Sequence, residues 1–349
     1  MSELPLRRGP KPDFAYLHIE DFDPKITPDL RKLDNLMEEI LNHTTEIIGQ
    51  RSASIQKILS GITQGIDAIK YDQISLGSVL KALLGAFKTT HRAILLLLSY
   101  QDKEPELGFE AMSLAREQVE KIFKISLLLD HPDLWVPLFL KYSWKRYYLD
   151  YLLKLEELEK LHEKYVTETS PNLLNDMRKS NGTTDDEVIA VECEFYYGEE
   201  FPKDLKKFSK SKIANFPTPG RAVKKIKNQT MIPFLRRWQK EYDHLCGYSH
   251  AGIEKLAAQA LNEKSDIFRR EELENIRKSM LEKEIQTAVF TSYIAFASAC
   301  SEICSWLKGD ELLEKRLKEF WGKLCEASLL ARVFWNLRGK QLLNGETPS

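Results

Sequence analysis

Apolar residues recur at three- and four-residue steps along most of the chain, which is the spacing of one face of a helix. The first such series is Leu30, Leu33, Met37, Ile40, Thr44 and Ile47, continued by Ile55, Ile58, Ile62, Ile66 and Ile69. Thr27-Pro28-Asp29 supplies its N-cap and first-turn proline, and Gly49, Gly61 and Gly65 mark places where it can bend. A second helix is expected from about Gln73 to Tyr100, ended by the polar run Gln101-Asp102-Lys103-Glu104-Pro105. Together these predict an N-terminal helical hairpin or arm, with a dimerising coiled coil as the alternative.

The pattern resumes from Glu106 to Asp130, breaks at His131-Pro132 and continues from Asp133 to about Glu168. Further helices are expected at Thr184 to Tyr197, Met231 to Cys246, Asp266 to Leu307 and Asp310 to Leu337, with short turns near Asn172, Ala222 and Gly252. No segment alternates convincingly with the period of two that a half-buried strand needs. The reading is an all-α fold, a helical bundle with an N-terminal arm. Its expected divisions are a flexible tail over 1–26, the arm over 27–101, the bundle over 102–337 and a C-terminal tail over 338–349. No internal repeat interrupts it.

Composition narrows the class further. The chain has 349 residues, 43% hydrophobic and 30% charged, with only 16 Gly and 14 Pro, which excludes collagen-like and all-β readings. A net charge of −1 argues against a wholly basic nucleic-acid coat or an acidic disordered chain. The five cysteines are odd in number and form no C-x-x-C pair, so a disulfide framework is not expected. Cys300 and Cys304, one turn apart among small apolar residues, read as core, with metal or redox work as the lesser alternative. The N-terminus lacks an apolar signal core, and the stretch from Ala288 to Leu307 is broken by Ser, Thr and Glu302. A cytoplasmic protein with no membrane partner and a buried small-residue helix is therefore expected.

Charge is unevenly distributed. The stretch from Tyr151 to Glu200 is heavily acidic, whereas Lys203 to Lys240 holds a single acid, Asp204. Its cations, among them Lys206, Lys207, Lys210, Lys212, Arg221, Lys224 and Lys225, are interleaved with Phe208, Phe216, Phe234 and Trp238. Basic groups with aromatic neighbours suit a phosphate backbone bearing unstacked bases. The other reading is that the acidic and basic segments pair with each other or merely face solvent.

Three sets of residues carry candidate chemistry. In the segment around Ala115, a helical wheel places Glu117, Lys121 and Lys124 on a solvent strip and Arg116 and Glu120 at the margin of the apolar face. A charged pair at that margin is partly desolvated, either a structural ion pair or part of a site. Farther on, Phe234, Trp238, Tyr242 and Leu245 form one apolar face, Gly247 is expected to end the helix, and Tyr242 and His250 flank the break. His250, after the plausible cap Ser249, either enters a cleft or packs. On the opposite strip Arg237, Glu241 and His244 stack at helical spacing.

The combination of Ala-Arg-x-x-x-Glu at Arg116 and Glu120, a basic connection, and Tyr-x7-His at Tyr242 and His250 resembles uncharacterised all-helical proteins related to the HEPN superfamily, across roughly Glu106 to Leu307. That resemblance implies a small helical bundle, often dimeric, of the kind used as metal-independent ribonucleases in toxin–antitoxin, CRISPR and phage-defence systems. The superfamily's Arg-x4–6-His motif is matched only by Arg237 and His244, with Trp238 in place of the usual polar residue. In such a site a neutral histidine takes the ribose 2′-hydroxyl proton while a guanidinium stabilises charge on the attacked phosphate. His250 or His244 would be the acid/base group, Arg116 or Arg237 the clamp, and Glu120 the residue orienting either.

A di-metal bundle is the competing enzymatic reading, because Glu159-x-x-His162 and Glu241-x-x-His244 are present. The first lies in a charged run that reads as a solvated face, and no metal or cofactor is expected. Phosphate-binding glycine loops, nucleophile elbows and zinc spacings do not occur. Two functions remain: an RNA-binding protein or metal-independent ribonuclease, in phage defence or a toxin system, or a non-catalytic helical interaction and assembly module. Homo-oligomerisation through helices is expected in either.

Overall fold

The computed structural model describes residues 28–60, 67–100, 107–165, 215–249, 270–308 and 310–344. Among these residues there is no strand, and the fold is an all-α helical bundle. Its helices are α1 (Pro28–Ser60), α2 (Asp67–Ser99), α3 (Leu107–Asp130), α4 (Pro132–Tyr165), α5 (Pro219–Lys225), α6 (Ile232–Ser249), α7 (Arg270–Leu307), α8 (Glu311–Ala327), α9 (Leu329–Phe334) and α10 (Lys340–Asn344). A 3-10 turn, Gln229–Met231, precedes α6, and a π turn, Trp335–Gly339, separates α9 from α10.

Local chemistry sets several of these boundaries. Pro132 opens α4 where its missing N–H costs nothing, and α1 begins at Pro28 for the same reason. The Asp310 carboxylate caps α8 by accepting from the Leu313 N–H at 2.7 Å, and His43 of α1 lies 3.0 Å from the same oxygen. The expected single helix from Asp310 to Leu337 is instead three pieces. Ser328 adopts an extended backbone, ends α8 and caps α9 through the Ala331 N–H, so a polar side chain competes successfully for the helix's own donors. Gly247 does not end α6, which continues to Ser249. Gly49 produces no break in α1 either.

α3 and α7 form the centre, with α2 and α6 against α3 and with α1 and α8 closing the α7 side. From Thr291 to Cys304 every residue of α7 is buried, which its run of Ala, Ser and Cys makes possible by letting neighbouring helices approach. The stretch Gln286–Leu307 is long and apolar enough to cross a membrane by length and composition, and most of it is buried inside the fold. Cys300 and Cys304 are core residues there, and burial pushes both thiols up, Cys304 to about 11.

Two of the expected divisions are not packing boundaries. α1 and α2 share one continuous core with α3 and α7, and Asp34 of α1 hydrogen-bonds His91 of α2 and Tyr293 of α7, so they are not a separate arm. Residues from 338 do not begin a tail. Arg338 is 5% exposed and makes a bidentate pair with Glu302 of α7 at 2.7 and 3.1 Å, while its Nη1 donates to Thr230 and Gln341. Residue spacing does not reveal either case, because the partners of Asp34 and Arg338 are distant in sequence. Residues 1–26 and the helix expected at 184–197 lie outside the described residues.

Candidate functional site

Facing turns of α3 and α6 bring three of the candidate residues together. Arg116 Nη1 donates to Glu120 Oε1 at 3.0 Å and to the Tyr242 hydroxyl at 3.3 Å, and that hydroxyl donates to the same Glu120 oxygen at 3.2 Å. The guanidinium also lies 5.8 Å from the centre of the Tyr242 ring. Arg116 and Glu120 share a face because they are one turn apart. Tyr242 reaches them because Phe234, Trp238 and Leu245 anchor α6 by the apolar face expected of it, all three being buried. Trp238 is itself stacked on Phe334 at 4.0 Å.

The side chains of Arg116 and Glu120 are 18% and 26% exposed, so the cluster sits at the edge of the core and solvent reaches it. Burial pushes the Tyr242 hydroxyl up to about 12, with the Glu120 carboxylate and Cys246 adding to the effect. Tyr242 therefore keeps its proton at neutral pH and acts as a donor. Burial opposes the charge on Arg116, but Glu120 and Tyr242 outweigh it and hold the guanidinium above its usual value. Arg116 Nε is buried without a hydrogen-bond partner among the described residues. A protonated phenol, a permanent cation and a carboxylate close on one another with no net charge; no histidine is part of this trio.

The remaining candidates fall into two groups. Arg237 Nη2 pairs with Glu241 one turn away on α6, and His244 is exposed on the same strip. Arg221, Lys224 and Lys225 are exposed on α5. His250, Lys206, Lys207, Lys210 and Lys212 lie outside the described residues, as do the side chains of Glu159 and His162. Among the described residues no three His, Cys, Asp or Glu side chains group as metal ligands.

Sequence reasoning missed the most connected polar cluster of the fold. His91 of α2 bonds Asp34 of α1 at 3.0 Å through Nε2 and Ser292 of α7 at 2.8 Å through Nδ1. Gln118 of α3 donates to Ser292 at 3.0 Å and to the Phe87 carbonyl at 2.9 Å. Lys121, placed by the wheel on a solvent strip, is 7% exposed and donates to Thr90 and Gln118. Its ammonium is pushed down to about 8, chiefly by burial, with Lys124 adding to the effect and Glu117 and Glu120 opposing it. Ser292, His91 and Asp34 have the order of a hydrolytic triad, but Ser292 is fully buried and no substrate carbonyl can reach it. The available signal was polar residues on faces otherwise apolar, which a single wheel cannot distinguish from surface positions.

Compared with family models, with curated proteins and with solved structures, the chain matches none.

Proposed function

We propose that the protein binds RNA and cleaves it without a metal, in the manner expected of HEPN-like ribonucleases, with Arg116, Glu120, Tyr242 and His250 as the site. The observation that supports this is the meeting of Arg116 and Glu120 on α3 with Tyr242 on α6, three of the four positions that the resemblance marks. In this reading Arg116 stabilises charge on the attacked phosphate, Glu120 holds the guanidinium, and Tyr242 donates to a phosphate oxygen. His250 serves as the base for the ribose 2′-hydroxyl. The basic segment, including Lys206, Lys207, Lys210, Lys212, Arg221, Lys224 and Lys225, tracks the backbone. Helix-mediated self-association and a role in phage defence or a toxin system belong to the same proposal.

The test is cleavage of a mixed labelled RNA panel in EDTA by wild type and by Arg116→Ala, His250→Ala and His244→Ala, with circular dichroism on each. Loss in the first two variants alone supports the His250 site. Loss in the third alone moves the site to the Arg237, Glu241 and His244 strip, and no cleavage by wild type overturns the enzymatic reading.

A second reading, a non-catalytic assembly module, is favoured by the way Arg116, Glu120 and Tyr242 satisfy one another and by the network joining α1, α2, α3 and α7. Such groups fix helix register as well as they bind anions. Light scattering that shows a concentration-independent oligomer, together with no RNA binding, would select it.

A further inference from the structure

A cleft of about 350 Å³ opens between α5 and α6, away from the Arg116 contacts just described, and it is lined by Thr218, Gly220, Arg221, Lys224, Arg236 and Gln239 among others. Its size is at the lower end of small-molecule sites. Arg221 and Lys224 stand one turn apart on α5, and Arg236 faces them from α6. Among the described residues no carboxylate lines the cleft, and none of the three cations forms an ion pair. Like charges at this spacing repel, so three of them around one concavity are best satisfied by a bound anion.

The walls are fixed by the fold. Ile226 and Val223 bury α5 in the core, and the Asp130 carboxylate of α3 accepts from the backbone N–H groups of Lys227 and Asn228, both at 2.9 Å, at the α5 to α6 connection. That acid is thereby engaged with the main chain. Gly220 lets the backbone of α5 approach Gln239 closely: a Cβ there would stand 3.0 Å from Gln239 Nε2. The Thr218 hydroxyl makes no capping bond to its own helix. Two guanidiniums, an ammonium, an amide and a hydroxyl around one concavity match the many acceptors and double charge of a phosphate monoester better than a single carboxylate.

We propose that this cleft binds the phosphate monoester of a nucleotide, with Arg221, Lys224 and Arg236 neutralising it and Gln239 fixing its orientation. The phosphate is carried either by a free mononucleotide or by the 5′ end of an RNA strand. This rests on the anion-binding part of the function proposed above and requires neither cleavage nor the Arg116 cluster.

Calorimetric titration of the full chain tests it with inorganic phosphate, adenosine 5′-monophosphate and an RNA octamer bearing a 5′-phosphate or a 5′-hydroxyl. Saturable binding of phosphate and of the nucleotide is expected, weakened about 10-fold or more in Arg236→Gln and in Lys224→Gln. Lys315→Gln, an exposed cation on α8, should leave it unchanged. Preference for the 5′-phosphorylated octamer over the hydroxyl form identifies an RNA end as the source; equal affinity for the two, with the nucleotide still bound, identifies the free nucleotide. Failure of phosphate and nucleotide to bind, or equal losses in Lys315→Gln, overturns the proposal. If RNA cleavage in EDTA persists in that event, the ribonuclease reading stands without the pocket; if cleavage is absent but the pocket binds, the reverse holds.

Discussion

Arg116 and Tyr242 lie 126 positions apart in the chain, and guanidinium Nη1 meets phenol oxygen at 3.3 Å. That contact ties α3 to α6 and places a protonated donor beside a permanent cation. Tyr242→Phe keeps the ring beside the guanidinium but removes both hydrogen bonds of the hydroxyl. A loss of about 1 kcal/mol in urea unfolding is expected, and with an active ribonuclease kcat should fall while RNA affinity changes little. Unaltered stability would mean that the hydroxyl links nothing.

Lys121 makes stability depend on pH in alkaline solution. Its folded value of about 8 lies below the ordinary 10.5, so between those values the unfolded chain holds a proton that the folded chain has released. Stability therefore rises with pH across that window, by roughly 3 kcal/mol in total for a shift of this size. The neutral amine retains two N–H donors, enough for the Thr90 and Gln118 oxygens it already contacts. Tyr242 acts in the opposite sense above pH 10, because it keeps its proton when folded and loses it when unfolded. Urea midpoints measured from pH 7.5 to 11 should pass through a maximum, and Lys121→Met should abolish the rising limb; an identical rise in that variant would exclude Lys121 as its source.

Asp34 is the acceptor shared by His91 and Tyr293 in the core. Asp34→Ala strips the buried His91 Nε2 of its partner and leaves the Tyr293 hydroxyl only its long 3.5 Å contact with the Leu30 carbonyl, and about 3 kcal/mol of destabilisation is expected. Because the groups act together, the double variant Asp34→Ala/His91→Ala should cost less than the two singles combined, by at least about 1 kcal/mol. Simple additivity in chemical denaturation would show that the network is not a unit.

Glu302→Ala removes the carboxylate that faces the guanidinium of Arg338, whose side chain is 6% exposed, and leaves it only the neutral acceptors Thr230 and Gln341. Removing one partner of a buried pair typically costs about 3–5 kcal/mol. Replacing both, as Glu302→Leu with Arg338→Met, should recover much of that loss. A double variant as unstable as Glu302→Ala would place the cost in shape rather than in uncompensated charge. Hydrogen exchange at the Trp335–Gly339 turn should rise most in the single variant, because Arg338 is what anchors it.

By itself the sequence determined the all-α class, the extents of α3, α4 and α6 to within a few residues, and much of the α3 to α6 corner, but not the break at Ser328. The periodicity around Ala115 set Arg116 and Glu120 at the apolar margin, and Phe234, Trp238 and Leu245 oriented α6 so that Tyr242 faced inward, because one face of a helix is a local property of residue spacing. Tertiary structure decided which of those faces meet. It buried Lys121 by laying α2 against α3, drew Asp34 to Tyr293 and so merged α1 with the bundle, and turned a nominal tail inward at Arg338 because Glu302 of α7 waits there. It also set Arg236 across from Arg221 and Lys224. Periodicity carries only short-range information, whereas the burial of a charge and the closing of a cleft depend on partners far away in the chain, whose approach is fixed by packing.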